Sequence, residues 1–125
     1  MEKEFIPYTE ALALKELGFD EPCLNLYHKD TNQLIYKPID GVVMIKIDNH
    51  NKTNHCSAPL YQQAFRWFRE KYGLELLIAK DDIEQYYFSV KKSEALFDED
   101  DYCFKTYEEA ELECLKKLIE IVKNK

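Results

Sequence analysis

The side chains of this sequence best suited to chemistry gather between Asp48 and Cys56. Nine residues there hold three asparagines, His50, His55 and Cys56, with His28, Cys23 and Cys103 elsewhere in the chain. Imidazole and thiolate ligands together are what a zinc ion takes. A structural zinc site, however, needs two ligand pairs, and the five-position separation of His50 and His55 has no matching second half. The stretch therefore reads as an ordinary polar loop, and no metal is assigned. His55 beside Cys56 formally offers a nucleophile and its base. Sequence neighbours rarely aim at one another, and no nucleophile signature surrounds the pair. Cys114 and Cys23 lie in apolar patterns that suit small core residues.

Two further clusters carry charge. Asp98-Glu-Asp-Asp101 lacks the alternating ligands and the glycine of a calcium loop and reads as an exposed acidic stretch. Arg66 and Arg69, the two arginines of the chain, stand with Lys71 beside Trp67 and Tyr72. This basic-aromatic edge is suited to an acidic protein surface, a nucleotide or a single strand. Arg66, Trp67 and Arg69 are the candidate interaction patch. Three glycines in the whole chain leave no phosphate-cradling loop. No catalytic residue and no cofactor follow from these residues.

The elements that position them are legible from pattern. Helix formers over 8–17 end at Gly18. Cys23–His28 alternates as a strand, 29–32 has turn chemistry, and 33–36 returns, forming a hairpin. Val42–Ile47 is a β-branched strand. Ser57 is suited to cap a central helix with Pro59 in its first turn, running to Gly73. Its stripe Tyr61, Ala64, Phe65, Phe68 and Tyr72 is core, and Trp67 lies off the stripe's centre. Leu74–Ala79 and Ile83–Val90 make a second hairpin about 80–82. In Tyr86-Tyr87-Phe88-Ser89 either alternate set could face inward. Residues 93–105 read as an exposed loop. Thr106 and Glu109 then form a capping box for a helix to about Lys123, whose stripe is Tyr107, Ala110, Cys114, Leu118, Ile121 and Val122.

The order α-β-β-β-α-β-β-α predicts an α+β fold, one domain over 1–125. Its antiparallel sheet would have four to five strands, with helices packed mainly on one face. The openings Tyr8-Thr-Glu-Ala, Tyr61-Gln-Gln-Ala and Tyr107-Glu-Glu-Ala echo one another, as a duplicated helix-hairpin unit would.

Length and charge bound the function. A chain of 125 residues with 46% hydrophobic residues can bury its own core. A net charge of −7, spread over both halves, repels phosphate backbones and argues against nucleic acid as a partner. No apolar run approaches a membrane span. The acidic opening Met-Glu-Lys-Glu is unlike a secretory signal, which predicts a cytoplasmic protein with reduced thiols. The sequon Asn51-Lys-Thr53 is then without consequence.

Three blocks carry a resemblance: residues 8–23, from Tyr-Thr-Glu-Ala to Asp-Glu-Pro-Cys; 57–70, Ser-Ala-Pro to Gln-Ala-Phe-Arg-Trp-Phe-Arg-Glu; and 106–110, Thr-Tyr-Glu-Glu-Ala. In this order they resemble a group of small uncharacterised proteins of bacteriophages, prophages and related mobile elements of gut anaerobes. That group has no established activity or catalytic residues, so the resemblance assigns no site. It implies an accessory protein of a mobile element in a bacterial cytoplasm. Together with the tyrosine content, it points to a non-enzymatic protein-interaction module whose partner is a host or phage protein. The alternative is a small-ligand, nucleotide-like binder using the basic-aromatic patch.

Overall fold

The computed structural model describes residues 4–34, 48–92, 95–99 and 103–124. The fold is mixed α+β with antiparallel strands, and the chain divides into two compact units, Met1–Tyr61 and Gln62–Lys125. Among the described residues the strands form a two-stranded and a three-stranded sheet, and no sheet has four or five strands. The expected strand at 42–47 and the end of the first hairpin lie outside the described residues.

The first unit opens with α1, Tyr8–Glu16, which buries Ala11 and Leu14. Its end is set by Gly18 at φ +94, a conformation that costs glycine little. The Gly18 amide bonds the Lys15 carbonyl at 3.1 Å, and the Phe19 amide bonds the Leu14 carbonyl at 2.9 Å. This paired closure is a Schellman motif, and Phe19 and Leu14 are both buried beside it. Strand β1, Asn25–Tyr27, enters a turn closed by His28 and Gln33 (2.9 Å), with Asn32 at φ +56. The return reaches Leu34, opposite Tyr27.

The first unit also holds a strand that alternation did not reveal. Cys56–Ala58 is β2, pairing antiparallel with β1 so that Leu26 faces Ser57. Ser57 is therefore not a helix cap. Three consecutive buried residues leave no period-two pattern to read, and Ser-Ala-Pro resembles a helix start more than a strand. The Ser57 hydroxyl is buried with no hydrogen-bond partner among the described residues.

Helix α2 begins later than its cap signal suggested, at Tyr61, and ends at Tyr72. Gly73, at φ +68, turns the chain into β3 and bonds its amide to the Arg69 carbonyl at 3.0 Å. Strands β3 (Leu74–Lys80) and β4 (Tyr86–Lys92) are in full register, Leu77 facing Ser89 and Ile78 facing Phe88. Their connection is longer than the expected 80–82 turn. Asp81 Oδ1 accepts the amides of Ile83 (3.0 Å) and Gln85 (2.9 Å), and Glu84 adopts φ +62. A carboxylate can organise such a turn because it accepts several amides at once.

The expected loop at 93–105 contains a strand. Ala95–Glu99, β5, pairs antiparallel with β4 across a register shift at Val90/Lys91. Asp98 and Glu99 belong to this strand, so the acidic stretch is not a simple loop. Helix α3, Tyr107–Lys123, is capped as expected: Thr106 Oγ1 accepts the Glu109 amide at 3.2 Å. It packs on β3 and β4. Its buried set is Ala110, Glu111, Cys114, Leu115, Leu118 and Ile119. The stripe is thus rotated from the expected one: Tyr107 is exposed, Ile121 and Val122 are half-buried, and Leu115 is in the core. Each of the three helices begins at the tyrosine of its Tyr-x-x-Ala opening.

Candidate functional site

The polar loop brings several of the suspected ligands to one place and binds them into the fold. Asn49 accepts the Asn51 amide through its side chain at the start of a short 3-10 turn, His50–Lys52. Asn51 then spans two segments, donating to the Phe19 carbonyl (2.9 Å) and accepting the Ser57 amide (2.9 Å). Buried His50 donates through Nε2 to the Cys23 carbonyl at 3.1 Å. A carbonyl only accepts, so that nitrogen carries the proton. His55 and His28 lie 5.0 Å apart ring to ring. Their Nδ1 atoms accept the amides of Lys29 (3.1 Å) and Asp30 (3.2 Å) respectively. Lys15 Nζ donates to the carbonyls of Thr53 (3.3 Å) and His55 (2.9 Å). Each histidine thus spends a ring nitrogen on the backbone. Among the described residues no group of three or more His, Cys, Asp or Glu side chains could hold a metal.

The buried thiols Cys56 and Cys114 are poor nucleophiles. Burial pushes the Cys56 thiol up to about 11 despite the opposing charge of Lys15. Burial, then Glu111, pushes Cys114 up to about 12. Only the thiolate attacks, and near neutral pH these groups remain almost wholly protonated. Cys103 is the exposed thiol, with Sγ 3.8 Å from Asp81 Oδ2. Tyr27, whose hydroxyl donates to the Ile6 carbonyl, is likewise raised to about 12 by burial, then by Cys56 and Glu10.

In the second unit the candidate patch splits. Arg66 and Arg69 are exposed, but Trp67 is only 4% exposed. Its ring meets Phe68 (5.2 Å, 73°) and Tyr72 (5.4 Å, 79°) edge to face, and Lys71 Nζ lies 5.1 Å above it. Trp67 therefore belongs to the aromatic core with Phe65 and Phe68. Its offset from the stripe's centre did not show this, because a ring so large reaches beyond the arc assigned to its Cα.

Arg69 lies instead on a recess that sequence reasoning missed. A cavity of about 370 Å³ is lined by Gln62, Phe65 and Arg69 of α2, by Leu74, Glu75, Leu76 and Ile78 of β3, and by Tyr107 of α3. Its α2 residues share one face at spacings of three, four and seven. Leu74, Leu76 and Ile78 share one face of β3. Burial, then Glu111 and Cys114, raises the Tyr107 hydroxyl's pKa, while a hydrogen bond from Gln62 opposes the rise.

The β3 strand that lines the recess is also the end strand of its sheet. In the sheet order β3-β4-β5, β3 is terminal, and among the described residues its outer edge pairs with nothing. Leu76 and Ile78 are half-buried, while Leu77, on the opposite face, is 54% exposed. A strand at 74–79 was expected from the sequence. The chain alone could not tell that β3 would be an edge, since that depends on which strands pair.

No helix among the described residues is long and apolar enough to cross a membrane. Compared with protein-family models, curated proteins and solved structures, the chain matches none.

Proposed function

We propose that this chain is a non-enzymatic protein-interaction module that takes an extended segment of its partner along β3. The supporting observation is an edge strand of seven residues, unpaired on its outer side among the described residues, that lines the 370 Å³ recess. A strand added to a sheet edge gains main-chain hydrogen bonds, and its alternate side chains enter whatever pocket flanks that edge. Here those side chains would meet Leu76, Ile78 and Phe65, with Arg69 available to a carboxylate. The added strand would be the fourth of this sheet. Arg69 is what this reading keeps of the basic-aromatic edge, and Trp67 supports it from the core. Consistent with the resemblance, the partner is a host or phage protein met in a bacterial cytoplasm.

Affinity capture from a host lysate tests the reading with wild type, Ile78→Glu and Arg69→Glu, each checked for folding by circular dichroism. A protein retained by wild type and lost to both variants is the expected outcome. Equal retention by all three removes the proposal. A second reading, a small-ligand binder for a nucleotide-like molecule, is favoured by the size of the recess, within the range of ligand pockets. A rise in melting temperature with millimolar nucleotide, abolished by Arg69→Glu, would select it.

A further inference from the structure

The same edge has a more specific occupant. We infer that β3 pairs antiparallel with β3 of a second copy of this chain, about a two-fold axis through Leu77. The inference rests on the strand-addition reading of the edge and names one partner for it.

The first argument is exposure. Natural sheets protect their edges with prolines, inward-pointing charges or short strands. The central run Leu76-Leu-Ile-Ala79 carries none of these, and Leu77 stands 54% exposed in its middle. The seven residues of β3 span about 23 Å of edge that is unpaired among the described residues.

The second argument is register. A two-fold axis normal to the sheet keeps each face on its own side, so even positions oppose even positions and odd oppose odd. Centring on Leu77 sets Leu77 against Leu77, Leu76 against Ile78, Glu75 against Ala79 and Leu74 against Lys80. The pairs repeat on the far side of the axis. No like charges face each other, and the exposed leucine is covered by its own copy. Shifting the centre to Ile78 places Glu75 against Asp81, two like charges, which is destabilising. Shifting it to Leu76 places Glu75 against Leu77, in the apolar centre. Of these three, only the Leu77-centred register avoids both a like-charge pair and a carboxylate next to the axis.

The face of β3 that carries Leu76 and Ile78 also lines the recess, so the second copy would bring its Leu76 and Ile78 to that side. Each chain carries a net charge of −7, and screening that repulsion predicts tighter association as salt rises.

Sedimentation equilibrium of the full chain from low micromolar to near-millimolar concentration tests the inference. The expected result is a monomer–dimer equilibrium, weakened about tenfold or more by Leu77→Lys, which sets two lysines face to face. Leu77 is exposed, so circular dichroism should show an unaltered fold. In a Cys103→Ser background, Leu77→Cys should give a disulfide-linked dimer on mild oxidation, whereas Ile83→Cys, 72% exposed at the turn, should remain uncrosslinked. A monomer at every concentration, or a dimer indifferent to Leu77→Lys, overturns the inference. Lysate capture that still fails with Ile78→Glu would then leave the interaction reading standing without self-pairing.

Discussion

The polar loop of the first unit and the recess of the second reverse what their residues promise. The loop holds imidazoles, amides and a thiol, the groups from which sites are made. Its hydrogen bonds run instead to the backbone: His50 to Cys23, Asn51 to Phe19 and Ser57, and the two other histidines to Lys29 and Asp30. The recess is lined mainly by leucine, isoleucine and aromatic side chains, with Arg69 and Glu75 as its charges, and its strand β3 ends a sheet, unpaired on its outer side among the described residues. Residue type indicates what a group can do. Whether it remains available depends on what the fold has already used it for.

The strongest way to break this contrast is at Trp67. If the residue is core, as its burial requires, Trp67→Ala should cost about 3–5 kcal/mol of stability, measured by urea unfolding. A variant as stable as wild type, but deficient in binding, would return Trp67 to the surface patch.

The thiols sharpen it next. Cys56 (about 11), Cys114 (about 12) and Tyr27 (about 12) hold their protons in the folded state beyond the ordinary values of 9.0, 9.0 and 10.0. Above pH 9 the unfolded chain therefore binds fewer protons than the folded one, so stability is fully present below that pH and falls between about pH 9 and 12. Thermal melts across this range should show the decline. Alkylation at pH 8 should label Cys103 alone until the protein is unfolded, as mass spectrometry would read directly.

Two smaller effects separate structural polar groups from idle ones. Asn51→Ala removes a donor and an acceptor that join Phe19 to Ser57 and should cost about 1–3 kcal/mol, without altering capture of a partner. Ser57→Ala removes a buried hydroxyl that has no partner among the described residues, and should be neutral or stabilising by up to about 1 kcal/mol. As a helix cap Ser57 would instead have lost about that much on the same change. Chemical unfolding of the two variants side by side resolves their signs.

Much of the local structure was written in short patterns. Gly18 and Gly73 stop their helices because each adopts the left-handed conformation itself, and Thr106 with Glu109 opens α3 because a side-chain oxygen at that spacing reaches an orphan amide. The second hairpin was legible as two strands about the Lys80-Asp-Asp82 turn. The strand Cys56–Ala58 was not, because its three residues are buried on both faces. Nor was β5, whose acidic residues suggest solvent when taken without the neighbouring β4.

By itself the sequence determined the glycine closures of α1 and α2, the opening of α3 and the mixed α+β composition, all set by interactions within a few residues. Tertiary structure decided which alternate set of β4 turned inward, Phe88 and Val90, and that α3 would bury Leu115 and leave Tyr107 outside. It also decided that Trp67 would be core and that β3 would be an edge. These outcomes depend on pairings between segments distant in the chain, where burial is shared among partners that no local pattern names.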